Sequence, residues 1–235
     1  MSSGSSYVDY SAFSAIMTTK YPEYGWNTIT TFAADEAGNN AQYELTNFKI
    51  WNKEKRDKNK AWVFFQHGAV MSGTNWITKN SETGKSPFIE LADLGYDVYI
   101  GNNRGQLVSS NHKSLAYDSE AYWAYTLDGY AEDVLANMGD VYLDSGKKKG
   151  YYFGYSLGTV QMMIALSKYE NEMKNYLERA ILMAPCTIVA NANPIENLKV
   201  PGVLEAEMKK AGIYALFGPN FSSEAICEKS SAEAC

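Results

Sequence analysis

Four short apolar runs constrain this chain more than any other feature. They are "AWVFF" (61–65), "YDVYI" (96–100), "KGYYFGY" (149–155) and "RAILM" (179–183). Runs of four to eight mostly apolar residues suit strands buried on both faces. A helical pattern lies in each gap between them. "SPFIELADLG" has Ser86 as a cap, Pro87 at the first helical position and Gly95 as a stop. "SEAYWAYTLDGYAEDVLANMGDVYLDSG" reads as mostly helical, with Leu127, Tyr130, Val134, Leu135 and Met138 apolar. "TVQMMIALSKYENEMKNYLE" reads as one helix, apolar first and charged later. This alternation predicts an α/β domain with a largely parallel sheet and helices on both faces. Two earlier strands, 28–32 and 43–51, flank the turn residues "DEAGNN". The opening dozen residues are polar and expected to be loose. After Pro185 no buried strand is evident, and the pattern is one of irregular helical cover.

At 235 residues the chain is long enough for one domain with a real core. A net charge of -6 argues against nucleic acid, because phosphate binding needs clustered Lys and Arg. The one basic cluster, "KEKRDKNK" (53–60), is broken by Glu54 and Asp57 and reads as a solvated loop. No apolar run approaches the roughly 18 to 20 residues of a membrane span. The first residues lack the basic start and apolar stretch of a signal peptide, so compartment is open at this point. The three cysteines match no zinc or redox spacing, and no metal or cofactor is expected. Cys186 follows the last strand-like run and is expected to be buried. Cys227 and Cys235 suit either a local disulfide or two exposed thiols.

The third apolar run ends in Gly154-Tyr155-Ser156-Leu157-Gly158. This is a G-x-S-x-G pattern in the setting that gives it meaning, strand before and helix after. Such a turn holds its serine in strained backbone geometry with the hydroxyl in the open. Gly154 and Gly158 are expected because larger residues would strike the adjacent strand and helix. The N-terminus of the following helix favours developing negative charge. The bland alternative is a tight turn with an idle serine. The first run ends in "QHGAV", His67-Gly68-Ala69. There the backbone N–H groups of Ala69 and Leu157 can point at one substrate oxygen, as an oxyanion hole. Gly68 lets that backbone approach, and His67 shapes the loop. "GNNRG" (101–105) reads only as a turn. No P-loop is present and no glycine fingerprint follows the first buried strand, which disfavours nucleotide binding.

Five blocks in order, "FFQHGAVMSGTNW", "LADLGYDVYIGNNRG", "HKSLAYDSEAYWAYTLDGYAEDVLANM", "GYSLGT" and "ILMAP", resemble the acid lipase family, which includes gastric and lysosomal acid lipases. "KYPEYGWNTITTFAADEAG" is similar to that family's opening hairpin. The resemblance covers roughly residues 20 to 190. It implies an α/β-hydrolase core over 21–190 after a polar segment, 1–20, and the start of a helical cap over 191–235. It also implies a serine esterase of neutral lipid esters, with Ser156 as nucleophile and Ala69 and Leu157 as oxyanion donors. The family usually places His and Gln beside its serine, where this chain has Tyr155 and Leu157. The resemblance further implies a secretory or lysosomal setting, lipid-surface contact through the cap, and a cysteine pair at Cys227 and Cys235.

Family order is serine, acid, histidine. Here the only histidines, His67 and His112, both precede Ser156. His112 falls in a block matching a non-catalytic loop of the family. The expectation is therefore a fragment of a lipase, lacking the catalytic acid and base. The alternative is a short, inactive lipase-like protein that binds lipid or a partner chain. An acyltransferase on the same fold would share the elbow and the oxyanion hole. The last apolar run would leave an uncovered strand edge that needs a partner.

Overall fold

Alternation of side chains explains why the apolar runs are strands. The computed structural model describes residues 8–40, 42–78 and 84–187. In β3 (Val63–Gln66), Val63 and Phe65 join one buried cluster and Phe64 joins another. β4 (Val98–Gly101) does the same, with Val98 and Ile100 on one side and Tyr99 on the other. Each fully buried aromatic or aliphatic side chain contributes about 1.5–3 kcal/mol from burial. Two apolar faces demand two layers of cover.

The elements before that point are α1 (Ser11–Lys20), β1 (Tyr24–Ala33) and β2 (Tyr43–Asn52). After β3 come α2 (Pro87–Asp93), β4, the short β5 (Asn111–His112), α3 (Glu120–Trp123) and α4 (Leu127–Asp144). The described part closes with β6 (Gly150–Tyr155), α5 (Leu157–Lys168), α6 (Glu170–Tyr176) and β7 (Leu177–Met183). The sheet order is β1-β2-β4-β3-β6-β7, with β5 on β2. β1 and β2 are antiparallel to their neighbours, and β4, β3, β6 and β7 run parallel. Helices α1 and α2 supply Phe13, Met17, Ile89 and Ala92 to one face. α4, α5 and α6 supply Val134, Met138, Val141, Met162 and Met173 to the other. The expected α/β architecture is the one observed.

Three local readings change. The opening is not loose from Ser11 on, because Phe13 and Met17, one helical turn apart, are both buried. The helix after the serine is two helices, divided at Tyr169. Leu177 and Glu178, read as its end, belong to β7. Leu177 pairs with Gly150 and Arg179 with Tyr151, so Glu178 is the extra residue of a bulge. The α2 signals act as expected. The Ser86 hydroxyl accepts the Phe88 N–H at 3.3 Å, Pro87 opens the helix, and Gly95 takes φ 91° just past its end. Among the described strands β7 pairs with β6 alone, and Ile181 on it is 36% exposed.

Candidate active site

Parallel strands end together, so their following loops gather at one edge of the sheet. The loops after β3, β4, β6 and β7 meet there. Ser156 is the turn between β6 and α5. Its backbone sits at φ 51°, ψ -114°, a conformation costly for any residue with a Cβ. The fold enforces it from both sides. The Ser156 N–H donates to the Met183 carbonyl on β7 at 3.0 Å. Its own carbonyl accepts the Thr159 N–H at 2.9 Å and the Thr159 hydroxyl at 2.6 Å.

Close backbone approach accounts for the glycines. A Cβ on Gly154 would stand 2.6 Å from the Gly158 carbonyl oxygen, and one on Gly158 would stand 2.7 Å from the Gln66 carbonyl oxygen. Helix α5 therefore starts in contact with the end of β3. A Cβ on Gly68 would stand 3.0 Å from the Ser156 Cβ, so the loop after β3 lies directly against the serine. Ser156 and Leu157 are partly buried, while Ala69 is exposed. Among the described residues neither the Ala69 nor the Leu157 N–H has a hydrogen-bond acceptor. The structure thus brings Ser156, Leu157, Gly68 and Ala69 to one place.

His67 is buried beside them. Its Nε2 accepts the Asn103 N–H at 3.2 Å, which leaves the proton on Nδ1 to be donated to the Gly68 carbonyl at 2.8 Å. Burial pushes its pKa down to about 4. A neutral imidazole with both nitrogens engaged takes no proton from a serine. His112 is remote. It sits on β5, paired with the start of β2, and three strand spacings, about 14 Å, separate β2 from β6. Its Nδ1 accepts the N–H groups of Ser114 and Leu115. Burial and the Arg104 charge lower its pKa.

Two features of the site were not legible beforehand. Cys186 is only partly buried, and its Sγ lies 3.9 Å from the Ser156 Oγ. "GNNRG" is a buried hub, not a plain turn. Asn102, Asn103 and Arg104 are 0%, 3% and 1% exposed. Arg104 donates to Asp133 through its N–H at 2.9 Å and its Nε at 2.8 Å. The usable signal was chemical: an Arg between small turn residues, and an Asp133 inside the apolar stripe of a helix. Cys227, Cys235 and the expected cap lie outside the described residues. Among the described residues no group of three His, Cys, Asp or Glu is placed to hold a metal ion. No helix among them is long and apolar enough to cross a membrane.

Comparison with known proteins agrees with this fold. A family model described as "alpha/beta hydrolase fold" matches residues 61–216, about two thirds of the chain. Lipase member M of Mus musculus is 34% identical over 165 residues, 70% of this chain and 37% of that protein. Lysosomal acid lipase/cholesteryl ester hydrolase of Homo sapiens is 36% identical over 142 residues, 59% of this chain and 34% of that protein. Gastric triacylglycerol lipase of Bos taurus is 41% identical over 106 residues, 45% of this chain and 26% of that protein. The chain spans about a third of the length of the curated relatives it matches. On the match over 61–216, the chain belongs to the alpha/beta hydrolase fold family, and its sequence is similar to the acid lipases within it.

Proposed function

We propose that this chain carries the nucleophile and oxyanion hole of a serine ester hydrolase acting on neutral lipid esters. One observation carries the reading: Ser156, held at φ 51° between β6 and α5, stands beside two uncommitted N–H groups, those of Leu157 and Ala69. The Ser156 Oγ bonds to the ester carbonyl carbon as its proton passes to a base. The carbonyl electron pair moves onto oxygen, where both N–H groups and the start of α5 stabilise the charge. Collapse expels the alcohol with the proton held by the base and leaves an acyl-serine. Water then repeats the cycle and frees the acid.

Neither His67 nor His112 is placed to be that base. The base and its acid partner are assigned to residues outside this sequence, in the same polypeptide or on a partner chain. The names of the relatives, a triacylglycerol lipase and a cholesteryl ester hydrolase among them, support neutral lipid esters as the substrate class. In this reading residues 21–190, with Phe13 and Met17 of α1 packed against them, form the catalytic core and 191–235 begin a cap.

The test is fluorophosphonate labelling of the complete gene product, with peptide mapping and intact mass. The label is expected on Ser156 and absent from Ser156→Ala. Turnover of p-nitrophenyl butyrate in that variant is expected to fall by about 10³-fold or more. A gene product that is present but unlabelled, and that binds lipid equally well as Ser156→Ala, would be a binding protein instead.

A further inference from the structure

An oxyanion donor on an exposed loop works only if the loop is held. Donors must stand about 2.7–3.1 Å from the developing charge, and a misplacement of about 1 Å can cost 100-fold in rate. Ala69 and Val70 are exposed, and Val70 is 79% so, at φ 54°. No strand pairing reaches them, since β3 ends at Gln66. What holds the loop lies underneath, in the "GNNRG" segment of the neighbouring strand.

Two asparagines grip the loop at both ends. At its start, the Gln66 Nε2 donates to the Asn103 Oδ1 at 2.7 Å, and the Asn103 N–H donates to the His67 Nε2 at 3.2 Å. At its far end, the Gly73 N–H donates to the Asn102 Oδ1 at 2.8 Å. The grip is itself anchored. The Asn102 Nδ2 donates to the Thr46 carbonyl at 2.8 Å, and the Asn102 N–H donates to the Asn47 Oδ1 at 3.1 Å. Asn47 in turn donates to the Asn137 Oδ1 on α4 at 2.6 Å. Gly101 makes room for this arrangement, because a Cβ there would stand 2.5 Å from the Gln66 Oε1. Each side-chain amide in this series is buried, so each bond is made in a medium where losing it is expensive.

We propose that Asn102 and Asn103 are positioning residues, a two-point clamp that fixes loop 68–72 so that the Ala69 N–H meets the oxyanion. The proposal rests on the assignment of Ser156 and Ala69 above. It predicts a rate defect confined to the transition state. Loosening the clamp leaves ground-state ester binding alone and weakens every tetrahedral adduct.

The experiment uses the complete gene product carrying Asn103→Ala, Asn102→Ala or Gln66→Met, the last removing the donor to Asn103 from the other side. The comparison variant is Val141→Ala, a core truncation in α4. Four quantities are read: kcat and KM for p-nitrophenyl butyrate, affinity for phenylboronic acid as a tetrahedral-adduct former, and the thermal midpoint. The clamp variants that fold should lose about 10- to 100-fold in kcat, with KM within twofold and boronate affinity falling in step. Val141→Ala should lower the midpoint and leave the other three quantities in place. If the clamp variants change kcat less than twofold, or lose it only in proportion to unfolded protein, the clamp is wrong. Ser156→Ala separates the two ideas. If its labelling is lost while the clamp variants behave like Val141→Ala, the nucleophile stands and the clamp falls. If it labels like the parent, both fall.

Discussion

The two ends of the central sheet hold their polar groups by opposite means. At the end where the loops meet Ser156, the buried partners are neutral: Asn47, Asn102, Asn103, Gln66 and the uncharged His67. A buried charged pair there, Arg104 with Asp133, meets at 2.7 Å with side chains 0% and 1% exposed. At the other end the partners are ions. Lys49 lies 2.5 Å from Asp144 and 3.2 Å from Asp97, and Arg56 takes both oxygens of Asp97 at 2.6 and 2.7 Å. Tyr99 adds a hydroxyl donor to Asp144 at 2.6 Å. Ions at the remote end tie β2, β4 and α4 together. Neutral amides at the site end position a loop without adding a fixed charge beside the serine. A fixed positive charge would favour any bound anion, including the product acid. In the proposed reaction, oriented N–H dipoles would act instead on the oxygen whose charge develops only in the transition state.

The largest effect that sharpens this contrast belongs to the ionic end. Lys49→Met removes the cation shared by Asp97 and Asp144, and it should cost about 2–3 kcal/mol of stability. That is less than the roughly 3–5 kcal/mol of a fully buried pair. Asp97 keeps Arg56, and Asp144 is 37% exposed, so water and salt screen what remains. Chemical denaturation measures the loss. kcat of the complete gene product should stay within twofold of the parent. A rate loss comparable to that of Asn103→Ala would end the division of labour between the two ends.

A smaller effect tests the neutrality of the site end. His67 has a folded pKa of about 4 against an ordinary 6.5, because burial disfavours the imidazolium. Below pH 6.5 the unfolded chain takes up a proton that the folded chain refuses, so stability is full above 6.5 and declines as pH falls toward 4. At pH 5 the loss from this residue is about 2 kcal/mol. Carboxylates held low by partners, such as Asp93 and Asp144, lose stability in the same direction on acidification. The useful quantity is therefore the difference between parent and His67→Gln. The parent should lose about 2 kcal/mol more than the variant between pH 7 and pH 5. Equal slopes would mean that His67 is protonated in the fold.

The contrast also explains what could be read from the residues alone. Strands β3 and β4 announce themselves because burial on two faces needs an unbroken apolar run, whereas β7, also apolar in sequence, is largely exposed or half-buried among the described residues. The elbow glycines are legible because backbone contact leaves no other choice of residue. The asparagine clamp is not, since Asn102 and Asn103 have the composition of an ordinary turn. Their partners come from β3 (Gln66), the loop after it (Gly73) and β2 (Thr46 and Asn47), and share no sequence period with them. Helix α1 had a signal in Phe13, Ile16 and Met17, masked by the serines and threonines around them. The break at Tyr169 had none, because no Gly or Pro marks it. The proximity of Cys186 to Ser156 depends on where β7 ends beside β6, which is a tertiary fact.

The smallest effect is the most pointed, because it sets the site end against itself. Ser156 holds φ 51° and ψ -114° with a Cβ in place, at a cost of about 1–3 kcal/mol. A glycine in its place would adopt that conformation freely. It would also enlarge the unfolded ensemble, which offsets part of the gain. Ser156→Gly should therefore come out more stable than the parent by about 1 kcal/mol, and Ser156→Ala should not. Both lose fluorophosphonate labelling. A shift of the denaturation midpoint upward for glycine alone identifies the strain as backbone strain at this one residue, retained for the exposure of its hydroxyl. If alanine stabilises as much as glycine, the cost lies in the hydroxyl's surroundings, with Cys186 at 3.9 Å the first group to change.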